Sequence, residues 1–541
     1  MRKQLFIFLL LGFSITIKAQ SKIDVFHYKY EIRLSDTTDN IFGIATIYFK
    51  ANMPAEFLEL DFSDLNRKGK GMKIIDLNTP GLPDIRITAS PKHVEYWHEN
   101  DKLKIRLPHK LLAGENDTIA IEYKGIPADG LIISKNKYRQ RTFFADNWPN
   151  RAHYWLPCID DLNDKASFEF MVTAPSHYKV ISNGILVEEK KLTDNKKLTH
   201  WKEDTPLSTK VMVIGVADFA VKKYTDSPTD IPVTAWIYEK DSTRGFRDFD
   251  PAPGILKFLI NYIGPYPYNK LANVQSKTIF GGMENASAIF YSEDSVDGRH
   301  DHESLLAHEI SHQWFGDMVT EKKFSHLWLS EGFATYLSQM YMESKYGKES
   351  FNQNMKKDRN DIIDFTKYSD QPVVDSMTPY LELLNTNSYL KGEWVLHMLR
   401  RQFGDPVFQK IIRSYYETYK GKNADTKDFE AIAEKITGSN LDKFFLQWLY
   451  TPGIPHLSIS WKYNAGQKKL TVTAEQTQKN DPFVFPLDIL IGMKPGSNRT
   501  ETLKINSRKG IFTFPLKSKP RDIIADPDIS VLFEGSVKEL K

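Results

Sequence analysis

From Ser21 onward the chain alternates hydrophobic and polar positions in short runs, a pattern typical of β-strands. Runs such as HYKYEIRLSD, IFGIATIYFKA and EFLELDFSDL place apolar side chains at every second position, and Asp, Asn, Gly or Pro separates them. Asn183-Gly184 has the composition of a hairpin turn between two later runs. The pattern predicts an N-terminal antiparallel β domain, which we place at residues 20–222.

The spacing changes near residue 225, where apolar residues begin to recur every three or four positions. ILKFLINYIG (255–264) and ESLLAHEISHQWFGDMV (303–319) both have this helical spacing, as do several later segments. Several of these segments stop at glycine, which is common at the C-terminal end of a helix. We therefore predict a mostly helical domain over residues 223–452.

The alternating pattern returns after Pro452-Gly453. HLSISWKYN, KLTVTAEQT and FPLDILIGM are followed by ETLKINS, GIFTFPL and DISVLFEG, all of strand length. Such closely spaced short strands predict a C-terminal β-sandwich of six or seven strands over residues 453–541. The predicted fold class is therefore multidomain α+β.

The first residues have the order of a secretory signal peptide. Two basic residues precede an apolar run from Leu5 to Ile17, and Ala19 offers a small residue for cleavage. The run is short for a transmembrane helix, although an uncleaved N-terminal anchor is the alternative. We predict a signal peptide at residues 1–19 and an exported protein, either periplasmic or secreted.

Composition narrows the classes of partner. The net charge is +3 with both signs spread along the chain, so nothing indicates nucleic acid, and no later segment is apolar enough to cross a membrane. The single cysteine, Cys158, cannot form an internal disulfide. It could be a catalytic thiol, but its setting in WLPC favours a small buried residue.

One group of residues in the helical region has the spacing of a metal site. The sequence reads HEISH at 308–312 and then, after eighteen further residues, Glu331 in LSEGFATY. Histidines four positions apart lie on one face of a helix, so His308 and His312 can bind the same ion. A glutamate from the next helix completes a His₂Glu set, which leaves one position of a tetrahedral zinc open for water. Glu309 is placed to take a proton from that water.

A second segment, IFGGMENASAIF at 279–290, stands just before this helix. A Gly-Gly-Met-Glu-Asn run between apolar stretches favours an exposed backbone that a ligand can approach closely. Alone, this run could be a simple turn. Beside the HExxH motif, it is a specific indication of a substrate-binding segment. The candidate substrate-binding residues are Gly281, Gly282, Met283, Glu284 and Asn285.

Together these segments resemble the zinc aminopeptidases that include alanyl aminopeptidase and the leukotriene-hydrolase enzymes. That family has a GxMEN segment, an HExxH motif followed after eighteen residues by glutamate, and a tyrosine downstream. HEISHQWFGDMVT is similar to its metal-binding helix and LWLSEGFATY to the segment of its third ligand. Gly282 replaces a common alanine, and Asp317 and Ser330 replace common asparagines. None of these departures removes a ligand.

The resemblance extends over nearly the whole chain after the signal segment. RAHYWLPCIDDLNDKASFEF is similar to the family's FPCxDEPxxKAxF segment, with Asp161-Leu162 in place of Glu-Pro. FFLQWLYTPGIPHL is similar to the join with the C-terminal sandwich. We expect a short form that lacks the helical C-terminal domain of many relatives.

The resemblance implies a thermolysin-like catalytic domain with one Zn²⁺ per chain and Glu309 as the general base and acid. It implies a tyrosine that stabilises the oxyanion, in a Y-x-K-G segment that corresponds here to Tyr389, with Tyr380 as the fallback. It also implies a polar residue of the N-terminal domain at the amine of the substrate. FFADNWPNRA offers Asp146 or Asn147 for that role.

The predicted function is hydrolysis of the N-terminal residue from peptides, and the expected partners are peptides with a free N-terminus. Glu284 would pair with the α-ammonium group, which an endopeptidase substrate lacks at that position. Two alternatives stay open: another zinc hydrolase, such as an endopeptidase or an epoxide-opening enzyme, and an inactive binding protein that keeps the fold. His300 and His302 are expected to be surface or capping residues and not ligands.

Overall fold

The computed structural model describes residues 22–78, 94–227, 230–493 and 498–540. The predicted signal peptide lies outside these residues. Along the described chain, sheets are followed by a mainly helical region and then by sheets again, so the predicted multidomain α+β fold class is confirmed. No helix in these ranges combines the length and the apolar composition that a membrane crossing needs.

In the described part of the N-terminal region, the strands form three sheets. Its strands are β1 (Ile23–Arg33), β2 (Ile41–Ala51), β3 (Ala55–Asp61), β4 (Gly71–Asn78), β5 (Tyr96–Glu99), β6 (Lys102–Leu111), β7 (Asn116–Ile126), β8 (Leu131–Lys135), β9 (Arg141–Ala145), β10 (Ala166–Pro175), β11 (Lys179–Ser182), β12 (Ile185–Lys191), β13 (Lys196–Leu207) and β14 (Ile214–Ala217). The sheets have the orders β12-β13-β10-β1-β2-β7-β4, β11-β14-β9-β8 and β3-β6-β5. Every second residue of β2 and β10 is buried, because one face of the large sheet covers the core.

One strand pair of the N-terminal region differs from the antiparallel pairing that the sequence predicts. In the seven-stranded sheet, β1 and β10 run parallel, with Tyr30 opposite Phe170. The other pairs of this sheet are antiparallel. Eight strands of the described residues lie between β1 and β10 in the sequence, which allows the long crossover that a parallel pair requires. The alternation of apolar and polar residues within a strand does not show whether its neighbour in the sheet runs parallel or antiparallel.

The central region carries the helices. They are α1 (Ser242–Asp248), α2 (Ala252–Tyr262), α3 (Glu303–His312), α4 (Trp328–Tyr346), α5 (Lys348–Thr366), α6 (Gly392–Phe403), α7 (Asp405–Tyr419), α8 (Thr426–Thr437) and α9 (Asp442–Phe445). The region also contains strands β15 (Phe219–Lys223), β16 (Val233–Tyr238), β17 (Leu271–Ser276), β18 (Gly282–Met283), β19 (Ala288–Ser292), β20 (Thr320–Glu321) and β21 (Asn423–Ala424).

The central region also contains a mixed β-sheet, which the hydrophobic pattern does not predict. Its order is β15-β16-β17-β19-β18, with parallel pairs at its centre and β18 at one edge. All six residues of β17 are buried, so its sequence, LANVQS, has no alternation that would mark it as a strand. β15 pairs with β16, so the sheet extends across the predicted boundary between residues 222 and 223.

The described residues of the C-terminal region form two sheets. Its strands are β22 (His456–Asn464), β23 (Lys469–Gln476), β24 (Phe485–Gly492), β25 (Arg499–Ile505), β26 (Lys509–Pro515), β27 (Asp522–Ala525) and β28 (Glu534–Glu539). They pair in the orders β26-β23-β22-β28 and β25-β24-β27. Alternate residues of β22 and β24 are buried, as the sequence pattern predicts for a two-sheet fold.

Candidate metal centre

Two neighbouring helices bring the predicted metal ligands together. α3 carries His308 and His312 one turn apart, and α4, which packs on α3, carries Glu331 in its first turn. His308 Nε2 lies 3.0 Å from His312 Nε2, and Glu331 Oε2 lies 3.3 Å from each of them. We call this group of three donor atoms the ligand triangle.

Hydrogen bonds on the far side of each ring orient the two histidines. His312 Nδ1 lies 3.1 Å from the carbonyl oxygen of Phe315, which can only accept, so Nδ1 carries a proton and Nε2 has a lone pair when the ring is neutral. Thr335 donates its hydroxyl to the carbonyl oxygen of Glu331, which leaves the Thr335 oxygen as an acceptor for His308 Nδ1 at 3.4 Å. In their neutral forms, both rings therefore offer an Nε2 lone pair inside the triangle.

The ligand triangle fits a cation. Three electron-rich atoms this close repel one another unless positive charge lies among them. A proton is one solution: burial lowers the pKa of His312, but the charges of Glu331, Glu284 and Glu309 together raise it to about 10. A dication that binds neutral imidazoles would displace that proton. Two imidazole nitrogens and one carboxylate oxygen form the ligand set of a catalytic zinc site.

Glu309 lies beside the triangle, on the same helix. Its side chain is buried, and burial raises the pKa of its carboxyl group well above the usual value, an effect that Glu284 and Glu331 reinforce. A Cβ atom on Gly282 would overlap the carboxylate of Glu309. Glycine at position 282 therefore lets this carboxylate lie directly against the backbone of β18.

Tyr389 approaches the triangle from a different segment. It belongs to a π-helical turn, Asn387–Lys391, that leads into α6. Its ring stacks on that of His308, with 5.9 Å between the centroids and an angle of 20° between the planes. Burial raises the pKa of its phenol well above the usual value, and the nearby carboxylates add to the effect, so Tyr389 remains a neutral hydrogen-bond donor. The fallback, Tyr380, is half exposed and packs on Phe324.

A cavity of about 640 Å³ opens over these groups. Gly281, Gly282, Met283 and Glu284 line it, together with the ligand triangle, Glu309 and Tyr389. Asn285 is fully buried and does not line the cavity, so its contact with a substrate stays a prediction.

Glu284 places a partly uncompensated carboxylate in the cavity wall. Its carboxylate oxygen Oε1 is buried and accepts no hydrogen bond from any described residue. Burial raises the pKa of the Glu284 carboxyl group, while the charges of His312 and Lys210 act in the opposite direction. The ammonium group of Lys210 donates to Glu321, at 2.9 Å. The carboxylate of Glu284 is therefore open to a donor that arrives with a ligand.

Gln313, which is not among the predicted site residues, ties the Glu284 segment to the metal-binding helix. Its side-chain amide donates to the carbonyl oxygen of Glu284 at 2.7 Å and to the carboxylate of Asp317 at 3.0 Å. Its amide oxygen accepts from the backbone N–H of Ser287 at 2.7 Å. A glutamine directly after the second histidine is visible in the sequence, but its partners are brought to it only by the tertiary fold.

The two candidates from the N-terminal region are both engaged inside the protein. The carboxylate of Asp146 binds Arg151 at 2.7 Å and accepts from the hydroxyl of Thr278 at 3.0 Å. The amide oxygen of Asn147 accepts from the indole N–H of Trp155 at 2.9 Å. Both side chains are fully buried and neither lines the cavity. A contact of Asp146 or Asn147 with the amine of a substrate therefore stays a prediction.

Trp148, the next residue, lines the cavity instead. Its ring packs edge to face on Phe280, with centroids 5.8 Å apart, and on Phe324, with centroids 5.7 Å apart. The N-terminal region thus contributes an aromatic wall where a polar group is expected.

The surroundings of the remaining candidates, Cys158, His300 and His302, indicate structural roles. Cys158 is fully buried, forms a β-bridge with Asp61, and has a thiol pKa that burial raises, as expected for a packed small residue. His300 is exposed, and His302 stands at the N-terminus of α3. Neither histidine lines the cavity.

The chain is similar to known peptidases along most of its length. It matches the Peptidase M1 N-terminal domain over residues 25–211 and the Peptidase family M1 domain over residues 248–448. It is 26% identical over 499 residues to "Probable aminopeptidase 2" of Sulfurisphaera tokodaii, an alignment that covers 87% of this chain and 61% of that protein.

Two eukaryotic relatives have similar identities. Glutamyl aminopeptidase of Rattus norvegicus is 25% identical over 516 residues, which cover 90% of this chain and 53% of that protein. Aminopeptidase M1 of Arabidopsis thaliana is 28% identical over 460 residues, which cover 80% of this chain and 51% of that protein. The chain spans about half to three fifths of the length of these relatives. With both family domains matched in order and the ligand triangle inside the second, the chain belongs to the M1 family of peptidases.

Proposed function

We propose that this protein is a zinc-dependent aminopeptidase that hydrolyses the N-terminal residue from peptides. The observation that carries the proposal is the position of Glu284, a buried carboxylate with an oxygen that lacks a partner, in the wall of the cavity that holds the ligand triangle. Such a group suits a substrate that brings its own positive charge. The relatives that are named aminopeptidases support the same activity.

His308, His312 and Glu331 would hold the zinc ion. Bound there, zinc would supply positive charge that polarises the scissile carbonyl group and makes a nearby water more acidic. Glu309 would accept a proton from the attacking water at its carboxylate and return it to the departing amine nitrogen. Its raised pKa makes the ionised form of Glu309 a stronger base than an exposed glutamate.

Tyr389 would donate a hydrogen bond from its phenol to the oxygen that becomes negative during the attack. Two features support this role: the phenol stays protonated, and its ring is held against His308. Such a donor acts mainly in the transition state, so it should affect kcat more than KM.

The edge of the mixed sheet offers a place for the backbone of the peptide. β18 pairs with β19 on one side only, and Gly282 and Met283 line the cavity. A peptide that lies along this edge can exchange main-chain hydrogen bonds with it, as in other cases of strand addition. The α-ammonium group of its first residue would then bind Glu284, which would restrict cleavage to the first peptide bond.

We also propose that the protein is exported to the periplasm or secreted. The support is the order of residues 1–19, in which two basic residues precede an apolar run and a small residue suited to cleavage. The partners in that compartment would be peptides with a free N-terminus. Mass spectrometry of the mature N-terminus would test this: a chain that still begins at Met1 would contradict it.

The experiment that tests the function is a panel of aminoacyl-anilides assayed with and without a chelator. We expect turnover of free substrates, its loss after chelation and its return with added Zn²⁺. N-acetylated versions of the same substrates should be very poor. Efficient cleavage of acetylated or internal peptide bonds would indicate an endopeptidase instead. A zinc-bound protein without turnover of any substrate would indicate a binding protein.

A further inference from the structure

The helix that carries Glu331 and the segment that carries Tyr389 touch at two glycines. A Cβ atom on Gly332 would lie 2.8 Å from the carbonyl carbon of Gly392 and 2.9 Å from its Cα. A Cβ on Gly392 would lie 3.1 Å from the Cα of Gly332 and 3.3 Å from the Cβ of Trp328. The two backbones are in direct contact, so a side chain at either position would have to displace one of them.

The backbone conformation does not explain why these two residues are glycine. Gly332 lies inside α4, and Gly392 has φ −58° and ψ −46°, which are ordinary helical values. In such positions alanine is the better helix former by about 1 kcal/mol. The close approach of the two segments is therefore the physical reason for glycine at both positions.

The position of this contact in the sequence connects it to the proposed chemistry. Gly332 directly follows Glu331, and Gly392 follows Tyr389 by one short turn. We propose that the glycine contact is a positioning element, which sets the distance between the third zinc ligand and the phenol that stabilises the oxyanion. This inference rests on the proposed function.

Hydrogen bonds to other parts of the chain fix the segment of Tyr389. The buried ammonium group of Lys391 donates to the carbonyl oxygen of Gly453 at 2.9 Å and to that of Thr451 at 3.3 Å. The side-chain amide of Asn387 donates to the carbonyl oxygen of Gln371 at 2.9 Å. The Lys391 bonds anchor the π-helical turn to the connection with the C-terminal sheets, and the Asn387 bond anchors it to the segment after α5.

The segment of Glu331 is fixed through the metal-binding helix. The hydroxyl of Ser330 lies 3.1 Å from His312 Nδ1, so the start of α4 is tied to α3. With anchors on both sides, an added methyl group at the glycine contact cannot be absorbed by moving one segment freely. It would shift Glu331, Tyr389 or both.

The test compares Gly332→Ala and Gly392→Ala with a matched control, Gly254→Ala. Gly254 is an exposed glycine in α2, and a Cβ there would meet only the hydroxyl oxygen of Tyr341, at 3.9 Å. The control should keep full zinc affinity and activity. Gly332→Ala should bind zinc at least about 10-fold more weakly, as when groups that orient a ligand are disturbed. It should also lower kcat/KM about 10²-fold, the effect of a misplacement near 1 Å. Gly392→Ala, with milder overlaps, should show smaller changes in the same direction.

A double-mutant cycle separates positioning from general destabilisation. In the wild-type background, Tyr389→Phe should lower kcat on the order of 10²–10³-fold. In the Gly332→Ala background the same change should cost less than about 10-fold, because the phenol is already displaced. A variant that is merely less stable would keep the full cost of Tyr389→Phe in its folded molecules.

Zinc affinity, measured by competition with a chromogenic chelator, requires no turnover, so it tests the glycine contact even if the proposed activity fails. Folded Gly332→Ala with the zinc affinity of the wild type and the full cost of Tyr389→Phe would overturn the proposal. If Gly332→Ala does not fold, Gly392→Ala decides by the same two measurements.

Discussion

The two halves of the cavity differ in how their charges are compensated. On the side of α3 and α4, the carboxylate of Glu331 faces two imidazole nitrogens at 3.3 Å, and a hydrogen bond behind each histidine ring orients it. On the side of β18, one buried oxygen of Glu284 accepts no hydrogen bond from any described residue, and the lysine whose charge acts on it is already paired with Glu321. The first half suits a resident ion, whereas the second suits a cation that comes and goes with the substrate.

The difference suggests a division of labour. Changes on the metal side should abolish the chemistry for every substrate, whereas changes on the β18 side should depend on whether the substrate has a charged amine.

Glu309→Gln should have the largest effect that leaves the metal in place. The amide preserves the shape of the side chain but cannot accept a proton, so kcat should fall by about 10²–10⁴-fold. Zinc content, measured by elemental analysis, should be unchanged because Glu309 is not a member of the ligand triangle. Near-normal kcat in a zinc-loaded variant would remove Glu309 from the role of base.

Tyr389→Phe should follow, with a loss in kcat on the order of 10²–10³-fold and little change in KM. The substitution deletes one donor and keeps the ring that stacks on His308. Tyr380→Phe is the matched control, since that ring lies against Phe324 and outside the cavity lining. If Tyr380→Phe shows the large loss and Tyr389→Phe does not, the assignment of the oxyanion donor is wrong.

The metal side could be predicted from the sequence almost completely, because its information is local. Two ligands share one helix, and the third follows in the first turn of a helix that packs on it. A fixed helical period therefore converts sequence spacing directly into geometry. The alternating strands at both ends of the chain are predictable for the same reason, since a period of two residues decides which side chains face the core.

The β18 side could be predicted only in part, because it is assembled from distant segments. The Gly-Gly-Met-Glu-Asn run indicates a ligand-binding edge, but the sequence does not reveal that Trp148 replaces Asp146 and Asn147 in the cavity wall. Asp146 and Asn147 do not line the cavity because hydrogen bonds to other residues hold both side chains inside the protein. The parallel pairing of β1 and β10 is hidden for a similar reason, since long-range pairing leaves no local period.

Glu284→Gln tests the β18 side directly. The change removes a negative charge and leaves a hydrogen-bonding group, so kcat/KM for substrates with a free amine should fall about 30- to 1000-fold, the equivalent of a charge pair worth roughly 2–4 kcal/mol. N-acetylated substrates should be very poor for both proteins. The ratio between the two substrate classes should therefore narrow in the variant.

Measuring both substrate classes on both proteins isolates the contact between Glu284 and the amine. The zinc affinity of the variant serves as the control, because a change confined to the β18 side should leave the ligand triangle intact. Equal losses for free and acetylated substrates would mean that Glu284 supports the fold of the cavity and does not read the amine.

Gly282→Ala should have the smallest effect, and it tests the boundary between the two halves. The added methyl group would overlap the carboxylate of Glu309, which lies at the end of a flexible side chain and can rotate away. We expect kcat to fall by about 10-fold through misplacement of the base, with KM little changed. Gly281→Ala should cost less, because a Cβ at Gly281 would meet no atom within 4 Å. The decisive comparison is Gly282→Ala in a Glu309→Gln background. If the methyl group acts through the base, it should have almost no further effect there, because the base is already lost. A full 10-fold loss in both backgrounds would mean that Gly282 acts on the bound peptide, and the overlap with Glu309 would then have no part in catalysis.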